Sequence, residues 1–154
     1  MAFSFPHFTH MRRFAARRSS VHGKGLFALV PLREGERLIE YKGAVKSWRT
    51  AIRDWTKSGS PGHTFFFGLE CGRVIDGGSG GNSARWLNHA CDANCQAVEE
   101  QGRVFIYAVR DVAQGEELFI SYNLDLDDDA DEDARTDYVC RCGGGGCRGT
   151  MLAR

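Results

Sequence analysis

The 154 residues carry 20 Lys and Arg against 20 Asp and Glu, with 42% apolar residues. That is the length of one domain with a core of its own and the composition of an ordinary globular chain. No apolar run approaches the ~18 residues that cross a bilayer, which excludes a membrane-spanning helix. The net charge of zero hides a polar layout. Residues 1–33 hold six basic residues (Arg12, Arg13, Arg17, Arg18, Lys24 and Arg33) and no acidic one, whereas residues 123–138 hold eight acidic residues against Arg135 alone. Such asymmetry bears on partners rather than on fold.

In chain order, residues 1–17 read as a basic tail. Its Arg-rich, acid-free content, with Ser19 and Ser20 close by, also fits an organellar transit segment. Ser20 to Ala28 reads as a turn and then a strand. Gly35 marks a turn, and Arg37 to Tyr41 reads as the next strand. Trp48, Ala51, Ile52 and Trp55 recur at helical spacing, so residues 47–57 are expected as a helix capped by Ser47. Thr64–Glu70 and Arg73–Asp76 read as a hairpin around Gly72. Gly77 to Gly81 lacks the Gly-Lys-Ser/Thr sequel of a phosphate loop and reads as a connection. Arg103–Val109 and Glu117–Tyr122 are strand-like. With 19 glycines and 3 prolines, the sum is many short strands and few helices.

The six cysteines are Cys71, Cys91, Cys95, Cys140, Cys142 and Cys147. An even count fits disulfides in a secreted chain. The C-x-C-x4-C spacing, without an apolar leader, reads better as metal ligation in a reducing intracellular compartment. Three thiolates within eight residues still lack the fourth ligand of a closed tetrahedral zinc site. Cys71 and Cys95 are expected to stay reduced and structural.

Three blocks in order carry a resemblance. They are Arg85-Trp86-Leu87-Asn88-His89-Ala90-Cys91-Asp92-Ala93-Asn94-Cys95, Gly115-Glu116-Glu117-Leu118-Phe119-Ile120-Ser121-Tyr122, and Cys140-Arg141-Cys142 through Cys147. The chain resembles the SET-domain protein lysine methyltransferases that end in a zinc-binding post-SET tail. Gly23-Lys24-Gly25-Leu26 resembles the loop that cradles the amino-acid end of S-adenosylmethionine, although alone it reads as a plain glycine turn. Glu40-Tyr41-Lys42-Gly43 resembles the element whose tyrosine lines the channel for the substrate lysine; on its own Tyr41 is a strand aromatic.

The resemblance implies a mostly β, β-clip-like SET fold. Small curved sheets would surround a knot-like crossing, with a short helical insert and a zinc-tied C-terminal tail. It divides the chain into a tail (1–17), a SET domain (18–123), an acidic connector (124–138) and a post-SET tail (139–154). Tyr122 falls on the catalytic tyrosine, with Tyr41 beside it. Gly23, Lys24, Gly25, Leu26, Phe65, Arg85, Asn88, His89, Met151 and Leu152 are implied as cofactor contacts, Asn88 and His89 partly through main-chain bonds. Tyr41, Ile120, Asp125 and Asp127 are implied at the substrate, and Cys91, Cys140, Cys142 and Cys147 at one structural zinc ion. Cofactor and peptide would enter from opposite faces.

Three positions depart from the family pattern. Ile120 stands where Phe or Tyr is frequent, Phe65 where Tyr is frequent, and Ala93 where Pro is usual. The acidic run would border the substrate groove, attracting a Lys/Arg-rich peptide and repelling phosphates. The expected partner is therefore a basic protein, a histone tail first, rather than a nucleic acid or a membrane; the oligomeric state stays open. Such an enzyme would work in the nucleus if eukaryotic or an exported effector, and otherwise in the cytoplasm. The alternative is a non-catalytic SET-fold or zinc-stabilised module that binds a basic peptide.

Overall fold

The computed structural model describes residues 11–59, 64–126 and 131–153. Ten short strands and two α-helices occur among them, with a 3-10 turn at Ser83–Trp86: β1 (Phe14–Arg18), β2 (Lys24–Ala28), β3 (Arg37–Glu40), β4 (Ala44–Lys46), α1 (Trp48–Ser58), β5 (Phe66–Gly68), β6 (Val74–Asp76), β7 (Asn88–His89), β8 (Cys95–Glu100), β9 (Arg103–Ala108), β10 (Glu117–Ile120) and α2 (Glu132–Thr136). They form three small sheets, ordered β1-β2-β10-β7, β3-β9-β8 and β4-β6-β5. The chain is mostly β, as expected.

The first sheet holds the crossing. β10 runs antiparallel to β2 and parallel to β7, with Phe119 opposite Asn88 and Ile120 opposite His89. A parallel pair needs a crossover, and here the β8–β9 hairpin makes it. Gln101 and Gly102 both have positive φ, 53° and 75°, the backbone of a two-residue turn that suits twisted hairpins.

β1 overlaps the expected basic tail, whose last four residues the sheet takes in, with Arg18 opposite Lys24. Phe14 packs on the apolar core, while Arg17 and Arg18 stay exposed. The arginines made the segment look like a tail, although it also carries a strand's half-buried end.

The expected helix is present as α1, and Ser47 caps it by accepting from the Thr50 N–H at 3.1 Å. Lys46 fixes its position, reaching Asp54 on the helix at 3.1 Å and Asp76 on β6 at 2.8 Å. The expected hairpin is β5–β6. The acidic connector holds a second short helix, α2, whose cap Asp131 accepts from Ala134 N–H at 2.7 Å. Part of the acidic run is therefore spent on starting a helix, where carboxylates are favoured.

Leu26, Leu32, Ile75, Val104, Ile106, Val112 and Leu118 are almost wholly buried and belong to one cluster that draws on all three sheets. Each such side chain contributes about 1.5–3 kcal/mol.

Candidate active site and thiolate cluster

Asn88, His89, Ile120 and Tyr122 lie on or beside the crossing of β7 and β10. Tyr122 follows β10, and its backbone and side chain together are fixed at three points. Its hydroxyl donates to the Leu87 carbonyl at 2.6 Å. Its backbone N–H donates to His89 Nδ1 at 3.0 Å. Its ring meets the His89 ring edge-on at 5.4 Å between centroids. Burial pushes the phenol up to about 12, with the Glu117 carboxylate adding to the rise.

Tyr41 is 7% exposed, and its hydroxyl donates to the Phe65 carbonyl at 2.8 Å. Burial first, and then the nearby Tyr122 and Asp76, raise its pKa well above that of an ordinary phenol. Both phenols thus stay neutral donors across the physiological range. Tyr41, Tyr122 and Ile120 share one apolar cluster. Ile120 is only 4% exposed and adds no polar group beside the two hydroxyls.

The glycine loop is tied to the crossing from behind. Asn88 Nδ2 lies 3.0 Å from the His22 carbonyl, 2.9 Å from that of Lys24 and 3.0 Å from Glu117 Oε1. The other Glu117 oxygen accepts from Ser19 Oγ at 2.9 Å. Gly25 lies directly on this carboxylate, so a Cβ there would overlap the Glu117 side chain. Gly25 is needed for close approach, and the Asn88 amide is spent on shaping the loop.

In front of the loop, Lys24 and Arg85 each lie 4.9 Å from the centre of the Trp86 ring. Phe65 meets Trp86 edge-on at 5.1 Å. Arg85 Nε is buried with no hydrogen-bond partner among the described residues. A buried cationic donor without an acceptor fits the carboxylate end of S-adenosylmethionine, because such a group is costly to leave unpaired.

The tail closes the other side. The Sγ atoms of Cys91, Cys140, Cys142 and Cys147 all lie within 4.8 Å of one another, and those of Cys91 and Cys140 are 3.6 Å apart. Zn–S bonds of ~2.3 Å in a tetrahedron put sulfurs ~3.8 Å apart, so the set fits a structural zinc ion. Peptide N–H groups of Arg148, Cys142 and Gly149 point at the sulfurs of Cys91, Cys140 and Cys147, at 3.3, 3.4 and 3.4 Å. The peptide N–H of Cys91 holds the Cys142 thiol down at about 6, whereas burial pushes Cys140 up to about 12. Burial also pushes Cys95 up to about 12, the state of an inert structural thiol.

Met151 and Leu152 lie on the tail against Leu124, which bridges to Leu152 and donates to the Met151 carbonyl at 3.1 Å. A cleft of about 460 Å³ opens between the tail and the crossing, lined by Cys91, Ser121, Asn123, Gly146, Arg148 and Ala153. Asp125 is exposed nearby, while Asp127 lies outside the described residues.

Reading by motif passed over Asn94, which is 1% exposed. Its Nδ2 donates to the Glu117 carbonyl at 2.8 Å, and its Oδ1 accepts from Phe119 N–H at 2.8 Å. The signal was a polar residue between two cysteines in a buried block. Ser19 and Glu117, the other buried polar partners of the loop, were likewise unassigned.

Residues 23–123 match the family model described as the SET domain. "Histone-lysine N-methyltransferase 2B" of Homo sapiens is 35% identical over 155 residues, 96% of this chain and 6% of that protein. "Histone-lysine N-methyltransferase, H3 lysine-4 specific" of Emericella nidulans is 37% identical over 146 residues, 90% of this chain and 11% of that protein. A solved structure titled "Structure of ctPRC2 in complex with H3K27me3 and H3K27M" superposes with a TM-score of 0.64 and 32% identity, covering 71% of this chain and 14% of that one. The chain therefore spans a small part of each of these longer proteins. With the model match covering most of its length, and with its sheets, crossing and cysteine cluster in place, the chain belongs to the SET domain family.

Proposed function

We propose that this domain transfers a methyl group from S-adenosylmethionine to the side-chain amine of a lysine in a histone tail. The observation that carries the reading is the pair of buried phenols, with Tyr122 locked to the Leu87 carbonyl beside Tyr41. The histone-lysine methyltransferase names of relatives sharing 35–37% identity support the substrate class.

When bound, S-adenosylmethionine supplies an electrophilic methyl group on a cationic sulfonium. Gly23, Lys24, Gly25 and Leu26, with Arg85, Phe65 and Trp86, would hold its amino-acid end. Main-chain groups near Asn88 and His89, with Met151 and Leu152, would hold the rest. The four cysteines would hold one zinc ion and keep the tail over the site.

A free lysine has a pKa of ~10.4 and must lose its proton before it attacks. The apolar surroundings of Tyr41, Ile120 and Tyr122 disfavour the ammonium, so the amine would arrive neutral after giving its proton to water. Tyr122 stays protonated and orients the amine rather than acting as its base. Orientation of this kind supplies several kcal/mol of a barrier. Ile120 adds no further hydroxyl to hold water beside those of Tyr41 and Tyr122, which leaves room for a methylated amine to re-enter. An enzyme of this kind would work on chromatin, in the nucleus of a eukaryotic cell.

The test is transfer of labelled methyl groups to core histones, free and in nucleosomes, alongside Tyr122→Phe. Label on one histone, lowered about 10²-fold in kcat by loss of the orienting hydroxyl, is the expected result. Cofactor binding without label on any basic protein would favour a binding module instead.

A further inference from the structure

The thiolate cluster and Tyr122 meet at one side chain. His89 is 4% exposed, so water cannot replace its partners. Its Nδ1 accepts from the Tyr122 N–H at 3.0 Å, which requires the proton on Nε2. Nε2 lies 3.5 Å from Cys91 Sγ, and a metal-bound thiolate can only accept. The two contacts demand the same tautomer, and the ring is rigid between them. We propose that His89 is a positioning residue through which metal loading of the tail sets Tyr122, resting on the reading of Tyr122 as the residue that orients the amine.

The geometry shows why the effect would reach the hydroxyl. Tyr122 takes all three of its fixed contacts from residues 87–89: the Leu87 carbonyl, His89 Nδ1 and the His89 ring. Cys91 stands two residues further along the same segment. It is also the sulfur at which the tail meets the crossing, because it accepts from the Arg148 N–H at 3.3 Å. With zinc bound, Cys91 holds Nε2–H, the ring plane is fixed, and Nδ1 faces the Tyr122 peptide. Without zinc, the tail no longer fixes Cys91, and the imidazole loses one of its two anchors. Metal ligands are commonly oriented by such outer partners, whose loss weakens metal binding about 10–100-fold. Here the outer partner belongs to the proposed active site, so the dependence runs both ways.

Two substitutions separate the two ends. His89→Asn can place an acceptor near Nδ1 but cannot reach Cys91. His89→Gln can place a donor near Nε2 but offers nothing to the Tyr122 N–H. In chelator competition, zinc affinity should fall about 10-fold or more in His89→Asn and hold in His89→Gln. In methyl transfer at saturating zinc, His89→Gln should lose kcat with little change in KM.

Wild-type protein gives a readout free of both activity and folding of the variants. Nitrogen-15 NMR should show His89 protonated on Nε2 in the zinc form, and the Tyr122 amide signal should move when zinc is stripped. An Nδ1–H tautomer, or a Tyr122 amide indifferent to zinc, overturns the coupling. So does wild-type kcat in His89→Gln. Protein that binds zinc but methylates nothing fails the functional reading alone, and the tautomer and amide shift still decide the coupling.

Discussion

Asn94 offers a measurable test of how the crossing is held. Its amide gives Glu117 a donor and Phe119 an acceptor, both at 2.8 Å, and so stands in for one step of a strand ladder along β10. A weaker bond reaches Glu116 Oε1 at 3.3 Å. Asn94→Ala leaves a peptide carbonyl and a peptide N–H buried without these partners. Each orphan costs about 1–3 kcal/mol, which puts the loss at about 2–6 kcal/mol. That is a large share of the 5–15 kcal/mol that holds a typical domain folded. With a guanidinium m-value of about 4 kcal/mol/M, the unfolding midpoint should fall by roughly 1 M. Tyr122 lies three residues past Phe119, so methyl transfer should fall as well. A midpoint within about 0.2 M of wild type, at unchanged m-value, would show that water or a backbone shift satisfies both groups, and would refute the reasoning.

Gly25→Ala should destabilise by about 1–3 kcal/mol, the usual result of overpacking, because the added methyl meets a carboxylate that Ser19 and Asn88 hold in place. Thermal melts and titration calorimetry would check it, with cofactor affinity expected to fall alongside stability. Stripping the metal should release one zinc ion per chain and abolish methyl transfer, while the far-UV circular dichroism of the sheets persists. A core that melts together with the tail would contradict this. Burial pushes Tyr122 up to about 12 and raises Tyr41 too. Against an unfolded phenol of ~10, their contribution to stability is complete below about pH 10 and lost as pH rises through the folded values. Melting points should therefore fall on this account only above about pH 10, and less steeply in Tyr122→Phe; an equal slope in that variant would count against the buried phenol.

Strands with strong apolar patterns and the capped helix were readable because their signals are local. Arg103–Ala108 has a continuous β-branched and aromatic run, and Ser47 sits where a cap belongs. β8 escaped because Gln-Gly is not the usual sequence for its turn, and because Glu99 and Glu100 disguise a strand with one solvated face. β1 escaped because its arginines read as a tail. α2 hid in an acidic run that looks like a solvated linker until Asp131 is seen to cap it. At the site, Cys140, Cys142 and Cys147 were readable from their spacing, and Cys91 from the family resemblance alone. The destinations of the Asn88 and His89 side chains were not. They depend on partners 29 to 66 residues away, such as His22, Glu117 and Tyr122, and no local pattern encodes such pairings.

The buried polar groups explain why a small sheet needs so elaborate a crossing. A conventional strand pair leaves its side chains free to pack, but β7 is only two residues long. It spends Asn88 on the glycine loop and His89 on Tyr122. β10 spends Glu117 on the same loop, and Asn94 supplies the ladder bonds that β10 would otherwise lack. Each of these side chains satisfies main-chain groups of a different segment, so no one segment can move without orphaning the others. The apolar core could be repacked with modest loss, because its contacts are numerous and individually weak. The polar web cannot, since a partly satisfied buried network costs more than none. Precision at Tyr122 therefore comes from hydrogen bonds between segments far apart in the chain, and the thiolate cluster is a part of that web whose strength would depend on a bound ion.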